Sequence, residues 1–230
     1  MKNIVFDTGP IISLTMNNLL WVLEPLKKMS NANFLITESV KEELVDNPLE
    51  KTKRFKFEAL QVMRHIENGT LEIVDNSEIQ DETRNLLSVA NNSFKAYGHY
   101  MNIVHNAEMS AVALCLQRKA DAFVVDEKTT RLLIENPKKL HHIMEHNLNT
   151  KVDVNKNAVN KFRAITKDVK VIRSVELAVI AYEKKLLDRY LAKINNPRKT
   201  LLESVLWGIK LNGCAVSKSE VEQIMRFEAK

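Results

Sequence analysis

The sequence predicts an α/β fold built on a doubly wound, mostly parallel sheet, and three observations predict it. Short runs such as Ile4-Val5-Phe6 and Phe123-Val124-Val125 have the apolar, β-branched character of inner parallel strands. Each run ends on an acid, Asp7 or Asp126, and turns directly into a helical pattern. Strand and helix signals then alternate along the chain, as in layered α/β domains. In open sheets of this kind ligands bind beyond the carboxyl ends of the strands, so both aspartates stand where a site belongs.

Taken in order, residues 2–6 predict the first strand, and Gly9-Pro10 a turn with Pro at the first helical position. Residues 17–29 predict a helix packed on the sheet, with a kink or break at Pro25. Asn33 to Thr37 predicts the second strand. Ser39 followed by Glu42 fits a capping box for the next helix, unless Thr37 is the cap. An amphipathic helix over 50–67, a short strand over 70–74 and a helix over 78–91 predict a helical insertion spanning about 47–105. Within it, residues 92–106 hold Gly98, two tyrosines and two histidines, and predict a loop or short irregular helix. Ala107 to Lys119 predicts a small-residue helix, residues 122–126 a strand, and residues 127–135 a helix ended by Pro137. A polar helix through His146, a loop over 147–157 and a strand over 169–173 follow. Ser174 is expected to cap a long helix reaching about Ala192. After the break at Asn195-Asn196-Pro197, helices are predicted over 201–211 and 219–227, the second with Ser217 as a cap. The expected organisation is a domain over 1–194 and a helical extension over 195–230.

A chain of 230 residues with 45% hydrophobic content supplies a real core, which argues against general disorder. No stretch has the apolar length of a membrane span, and the N-terminus reads as a strand instead of a signal peptide, so a cytoplasmic protein is expected. Cys115 and Cys214 lie in apolar helical patterns, which suits reduced core thiols better than a disulfide or zinc framework. The net charge of +5 is uneven: residues 1–150 carry 17 Lys and Arg against 20 Asp and Glu, and residues 151–230 carry 17 against 9. A basic C-terminal region near an acidic site suits a polyanionic partner, and equally a solvated helix surface.

Four acids lie at strand ends or just inside the next helix: Asp7, Glu43, Glu108 and Asp126. Their wide separation is that of a site assembled by folding. Carboxylate oxygens suit Mg²⁺ or Mn²⁺, which keep several waters and meet substrate phosphate directly. Gathered in one cleft without a cation, the acids repel one another and their pKa values rise. With a cation they can activate water for phosphodiester hydrolysis. Plainer readings stand beside this one. Asp7 and Asp126 suit helix caps, Glu43 a solvated helix acid, and Glu108 a first-turn charge favoured by the helix dipole.

Asp7-Thr8-Gly9-Pro10, then Ile36-Thr37 with Val40 and Glu43-Leu44, then Ala107-Glu108, then Ala120 to Glu127 with Thr129-Thr130-Arg131, together resemble the PIN-domain family over residues 1 to about 190. The resemblance implies a three-layer α/β/α fold and a metal-dependent ribonuclease, as in VapC-type toxins and RNA-processing enzymes. It implies Asp7, Glu43, Glu108 and Asp126 as the acidic Mg²⁺ or Mn²⁺ site, with Thr8, Thr129 and Ser174 as hydroxyls that orient a carboxylate or phosphate. RNA is then the substrate, and a toxin would have an antitoxin-like partner. The insertion and C-terminal helices are expected to serve homodimerisation or a larger RNA-processing assembly. Many relatives carry a second acid two residues after the Glu108 position, where this chain has Ser110.

Lys170, Arg173, Arg198 and Lys199 are candidates for following a phosphate backbone. His142 and His146 have the i, i+4 spacing of zinc ligands but no evident third ligand, so a surface or interface role is expected for them, as for His99 and His105. Neither a glycine-rich phosphate loop nor a nucleophile elbow is present. Two functional readings result: an endoribonuclease, or, because of Ser110, a catalytically weak or inactive PIN-fold protein that binds RNA.

Overall fold

The fold is seen in a computed structural model that describes residues 2–228. β1 (Lys2–Phe6) passes through Asp7 into α1 (Thr8–Met16), a 3-10 turn and α2 (Leu23–Ser30). β2 (Ala32–Thr37) leads into α3 (Glu38–Lys41), which continues through a π-helical turn (Glu42–Asp46) into α4 (Asn47–Lys51). α5 (Lys56–Glu67) returns the chain to β3 (Glu72–Val74). Next come α6 (Gln80–Asn91), β4 (Phe94–Ala96), β5 (His99–Tyr100), α7 (Asn106–Gln117) and β6 (Ala122–Val124). α8 (Lys128–Glu135), α9 (Pro137–Leu148), β7 (Asp153–Val154) and α10 (Lys156–Thr166) precede β8 (Val171–Ile172). Three helices follow: α11 (Ser174–Glu183), α12 (Pro197–Leu211) and α13 (Lys218–Glu228).

The main sheet is parallel, in the order β3-β2-β1-β6-β8. The winding reverses between β1 and β6, which makes their carboxyl ends the switch point where such sheets hold ligands. Phe6 pairs with Val124, and the Asp7 amide donates to the Val124 carbonyl at 3.0 Å, so the chain leaves both strands side by side. Alternate strand residues feed two cores. Phe6, Phe34, Ile36 and Val124 pack with α1, α2, α11 and α12, while Val5, Leu35, Phe123 and Val125 pack with α6 to α10. Burial on both faces gives the three-layer α/β/α arrangement and explains why the strands read as unbroken apolar runs.

Several boundaries differ from the sequence reading. α1 begins at Thr8, so Pro10 is its third residue, in the first turn, where a missing N–H breaks no helical bond. Pro25 is likewise third in α2, and the break falls instead around Asn18, whose φ is 54°. Residues 94–100 form a hairpin turning at Tyr97-Gly98, with φ of 51° and 82°. β7 lies inside the expected 147–157 loop and joins β4 in a second, three-stranded sheet. The helix α10 that follows it had no counterpart in the sequence reading. Strands of two or three residues are too short for periodicity to register. The 47–105 stretch also supplies β3, the edge of the main sheet, and α6, which packs beside α7. α11 stops at Glu183, where the chain turns through Lys185 at φ 60°. Among the described residues no helix is long and apolar enough to cross a membrane.

The C-terminal helices share the main core. Leu202, Leu206 and Ile209 of α12 are fully buried in it. Ser217 caps α13, accepting from the Glu220 amide at 3.1 Å. The Arg173 side chain, only 11% exposed, pairs with Glu176 at 2.6 Å and Glu220 at 2.9 Å and donates to the Ala215 carbonyl at 3.2 Å. Replacing Arg173 by Met should therefore lower unfolding free energy by roughly 2–3 kcal/mol, less than a fully buried pair because both carboxylates keep some solvent. Urea denaturation measures this, and a loss below about 0.5 kcal/mol would mean the lock contributes only as a surface pair does.

Candidate metal centre

Asp7 occupies the N-cap position of α1 without capping it: its side chain makes no cap hydrogen bond. The residue is 3% exposed, and Oδ1 is buried with no hydrogen-bond partner. Burial pushes its carboxyl up from 3.8 to about 8, helped by the negative charges of Glu108 and Glu43 and opposed by the nearby Thr8 and Gly9 amides. Asp126, 1% exposed, follows β6 and is not a cap either, because Glu127 takes that role in α8 by accepting from the Thr130 amide at 2.6 Å. The Asp126 carboxylate instead accepts from the Ser174 amide at 2.8 Å and the Ser174 hydroxyl at 2.6 Å. Gly9 lies between the two aspartates. A Cβ there would stand 3.4 Å from the Asp126 Cβ and 3.9 Å from Asp7 Oδ2.

Glu43 reaches this edge from the π-helical turn, a distortion frequent at functional sites. Thr8 Oγ1 donates to its Oε2 at 2.8 Å. Partial burial raises the Glu43 pKa against the Thr8 hydrogen bond, and Glu108 raises it further. Thr37, not Ser39, caps α3, accepting from the Val40 amide at 3.3 Å, so Glu42 has no capping-box role. Glu108, in the first turn of α7, accepts from the His105 amide at 3.0 Å and so also secures a helix start. Ser110 is turned inward at 1% exposure, its hydroxyl within 2.8 Å of Thr37 Oγ1 and donating to the Ala107 carbonyl at 2.8 Å. It ties α7 to the end of β2.

Of the three hydroxyls singled out in the sequence, Thr8 and Ser174 touch acids of this group. Thr129 is half-buried and makes no side-chain hydrogen bond with the described residues. Two contacts had no sequence signal. His105 stands close enough to Glu43 to favour its charge. The Ala215 amide, from the turn between α12 and α13, donates to the Asp126 carbonyl at 3.1 Å. Beside it, burial and the Asp126 charge push the Cys214 thiol up to about 12. Among the four basic candidates, Arg173 is held by its two carboxylates and Arg198 pairs with Asp188 over the Tyr182 ring. Lys170 and Lys199 are exposed.

The donor set fits a hard divalent cation: the oxygens are all carboxylate, one is buried without a partner, and the group is electrostatically strained. Among the described residues, the only trio of potential ligands within 4.8 Å of one another lies elsewhere, at His141, His142 and Glu145. No three of the acids at the sheet edge come that close to one another among the described residues. The His141 trio is already bonded: His141 Nε2 lies 2.7 Å from the Val152 carbonyl, and Glu145 accepts from the Val152 amide at 3.2 Å, fastening α9 to the following loop.

The unfolded chain releases the Asp7 proton at about 3.8 and the folded chain at about 8. Without divalent metal, stability should therefore fall as pH rises through that window, by at most about 1.4 kcal/mol per pH unit. Asp7→Asn removes this part of the slope, and Mn²⁺ at the alkaline end raises the Tm of the parent but not of the variant. Thermal melts across the window test this, and identical slopes in both proteins would mean that Asp7 ionises normally.

A family model described as PIN domain matches residues 3–138. No curated protein and no solved structure gives a significant match. The matched region spans more than half of the 230 residues and contains Asp7, Glu43, Glu108 and Asp126, and with the three-layer fold it establishes that the chain belongs to the PIN-domain family, a nuclease superfamily.

Proposed function

We propose that the chain is a metal-dependent endoribonuclease hydrolysing RNA phosphodiester bonds. The observation that carries this reading is Asp7, a buried carboxylate with an unpartnered oxygen at the switch point, separated from Asp126 by Gly9 and crowded by the charges of Glu43 and Glu108. A fold retains such strain when a cation relieves it in use. Asp7, Glu43, Glu108 and Asp126 would hold Mg²⁺ or Mn²⁺, which supplies Lewis acidity toward phosphate and a water of lowered pKa.

The chain's own residues do the rest. Ser174 fixes both Asp126 oxygens, so that carboxylate is oriented before substrate arrives. Thr8 holds Glu43 through Oε2 and leaves Oε1 free to face the cation, so this carboxylate too is oriented before substrate arrives. The setting that goes with this reading is cytoplasmic, with RNA as substrate. A homodimer is the expected assembly, and a toxin would add an antitoxin-like partner.

A second reading, an inactive RNA-binding PIN-fold protein, is favoured by one observation: Ser110 is committed to Thr37 and provides no further carboxylate. Mn²⁺ calorimetry with RNA cleavage separates the two. The nuclease reading expects metal binding that is lost in Asp7→Asn and Asp126→Asn, with kcat/KM reduced at least about 100-fold, or about 2.7 kcal/mol of transition-state stabilisation. Undiminished Mn²⁺-dependent cleavage by Asp7→Asn would sink it. RNA binding indifferent to metal, with no cleavage, would favour the binder.

A further inference from the structure

The stretch from the end of α4 into α5, Lys51-Thr52-Lys53-Arg54-Phe55-Lys56-Phe57, interleaves four cations with two phenyl rings, all at exposed positions. Phe57 is 72% exposed and Phe55 51%. Phe55 also takes a left-handed φ of 62°, which is strained for a bulky residue and is not repaid by burial of its ring. Lys51 bonds Asn47 and lies 3.9 Å from a Glu42 carboxylate oxygen, and Lys56 bonds the Leu49 carbonyl, while the Lys53 and Arg54 side chains meet no partner among the described residues. The loop adjoins the acidic centre: Phe55, Ile12, Met16 and Leu44 line a mostly apolar cleft whose wall includes Glu43 and Glu58.

We propose that residues 51–57 form a binding wall for single-stranded RNA, with Phe55 and Phe57 stacking on bases and Lys53 and Arg54 neutralising phosphates, next to the acids that cut the strand. Charge selects this occupant. An apolar helix or a second copy would bury unpaired cations, whereas a polyanion with exposed π-faces meets both the cations and the rings. Stacking on phenyl rings requires unstacked bases, so a single strand fits and a duplex does not. The direction of the strand toward cleavage rests on the nuclease reading, but the binding does not.

The test measures binding of the full chain in EDTA to a fluorescein-labelled, unstructured RNA of about 12 nucleotides, by anisotropy over a salt series. Phe57→Ala should weaken binding by roughly 10-fold and Phe57→Tyr should restore it. Phe55→Gly, which relieves the backbone while removing the ring, should weaken it similarly. Lys53→Ala with Arg54→Ala should lower the slope of log K against log salt by about 1.4. Parental affinity in Phe55→Gly and Phe57→Ala overturns the proposal, as does no RNA binding by the parent, or a loss confined to Lys170→Ala and Lys199→Ala. A change in sedimentation without a change in RNA affinity overturns it in favour of a self-association face. Mn²⁺ calorimetry on the same samples keeps the two readings apart. Metal binding without loop-dependent RNA binding sinks only the wall, and loop-dependent RNA binding without metal binding sinks only the nuclease.

Discussion

The rest of the structure is arranged around a carboxyl group that is buried with one oxygen unpartnered. Asp7 directly follows an inner strand paired to β2 and β6, and its amide bonds the Val124 carbonyl, so its backbone is held in place. The start of α1 beside it provides partial positive charge but no cap bond. Such a placement costs folding energy, and the two-sided core of a parallel sheet is what sustains it. Gly9 is part of the same solution. With no side chain between the aspartates, α1 can start immediately after Asp7 and still leave Asp126 close.

The second consequence concerns the segment beyond residue 195. Asp126 is held by Ser174 at the start of α11 and, through its carbonyl, by Ala215. Ala215 is in turn held through its own carbonyl by Arg173, which also grips Glu176 and Glu220. Partial burial works against Glu220, but the Ser217 and Arg173 hydrogen bonds bring its pKa down to about 2, so this junction stays charged across the working pH range. The C-terminal helices are thereby part of the frame that orients an acid more than eighty residues earlier in the chain.

How much of this was legible in the sequence follows from the range of each interaction. Asp7 and Asp126 stood out because an acid after a β-branched run is a local signal, and the sheet places both at one edge. Glu43 and Glu108 stood just inside helices that follow strands, where an ordinary solvated or first-turn acid reads the same, and the family resemblance weighted them toward the site. Ser110 became interpretable once Thr37 was opposite it, seventy-three residues away in sequence. The small second sheet was missed because its strands are too short to show a period, although Tyr97-Gly98 carried a weak turn signal. His105 and Ala215 reach the site through tertiary packing, for which no sequence pattern exists.

Charge gives the sharpest case of an average that misleads. The sequence places the basic excess after residue 150, and that region attracted the phosphate-binding assignments. Folding commits part of it: Arg173 lies between two carboxylates, Arg198 pairs with Asp188, and Arg189 lies over the Trp21 and Tyr190 rings. The block from Lys51 to Lys56 disappears into the acidic balance of the first 150 residues, and the amphipathic pattern expected over 50–67 hides it a second time. Only the fold interrupts that helix at 52–55 and leaves its phenyl rings outward. For a polyanion, what counts is cations that remain unpaired within a Debye length of the reacting phosphate, about 10 Å at moderate salt. A short loop that carries two unpartnered cations and is joined by a cleft to Glu43 thus stands beside the exposed Lys170 and Lys199 as a place for a polyanion.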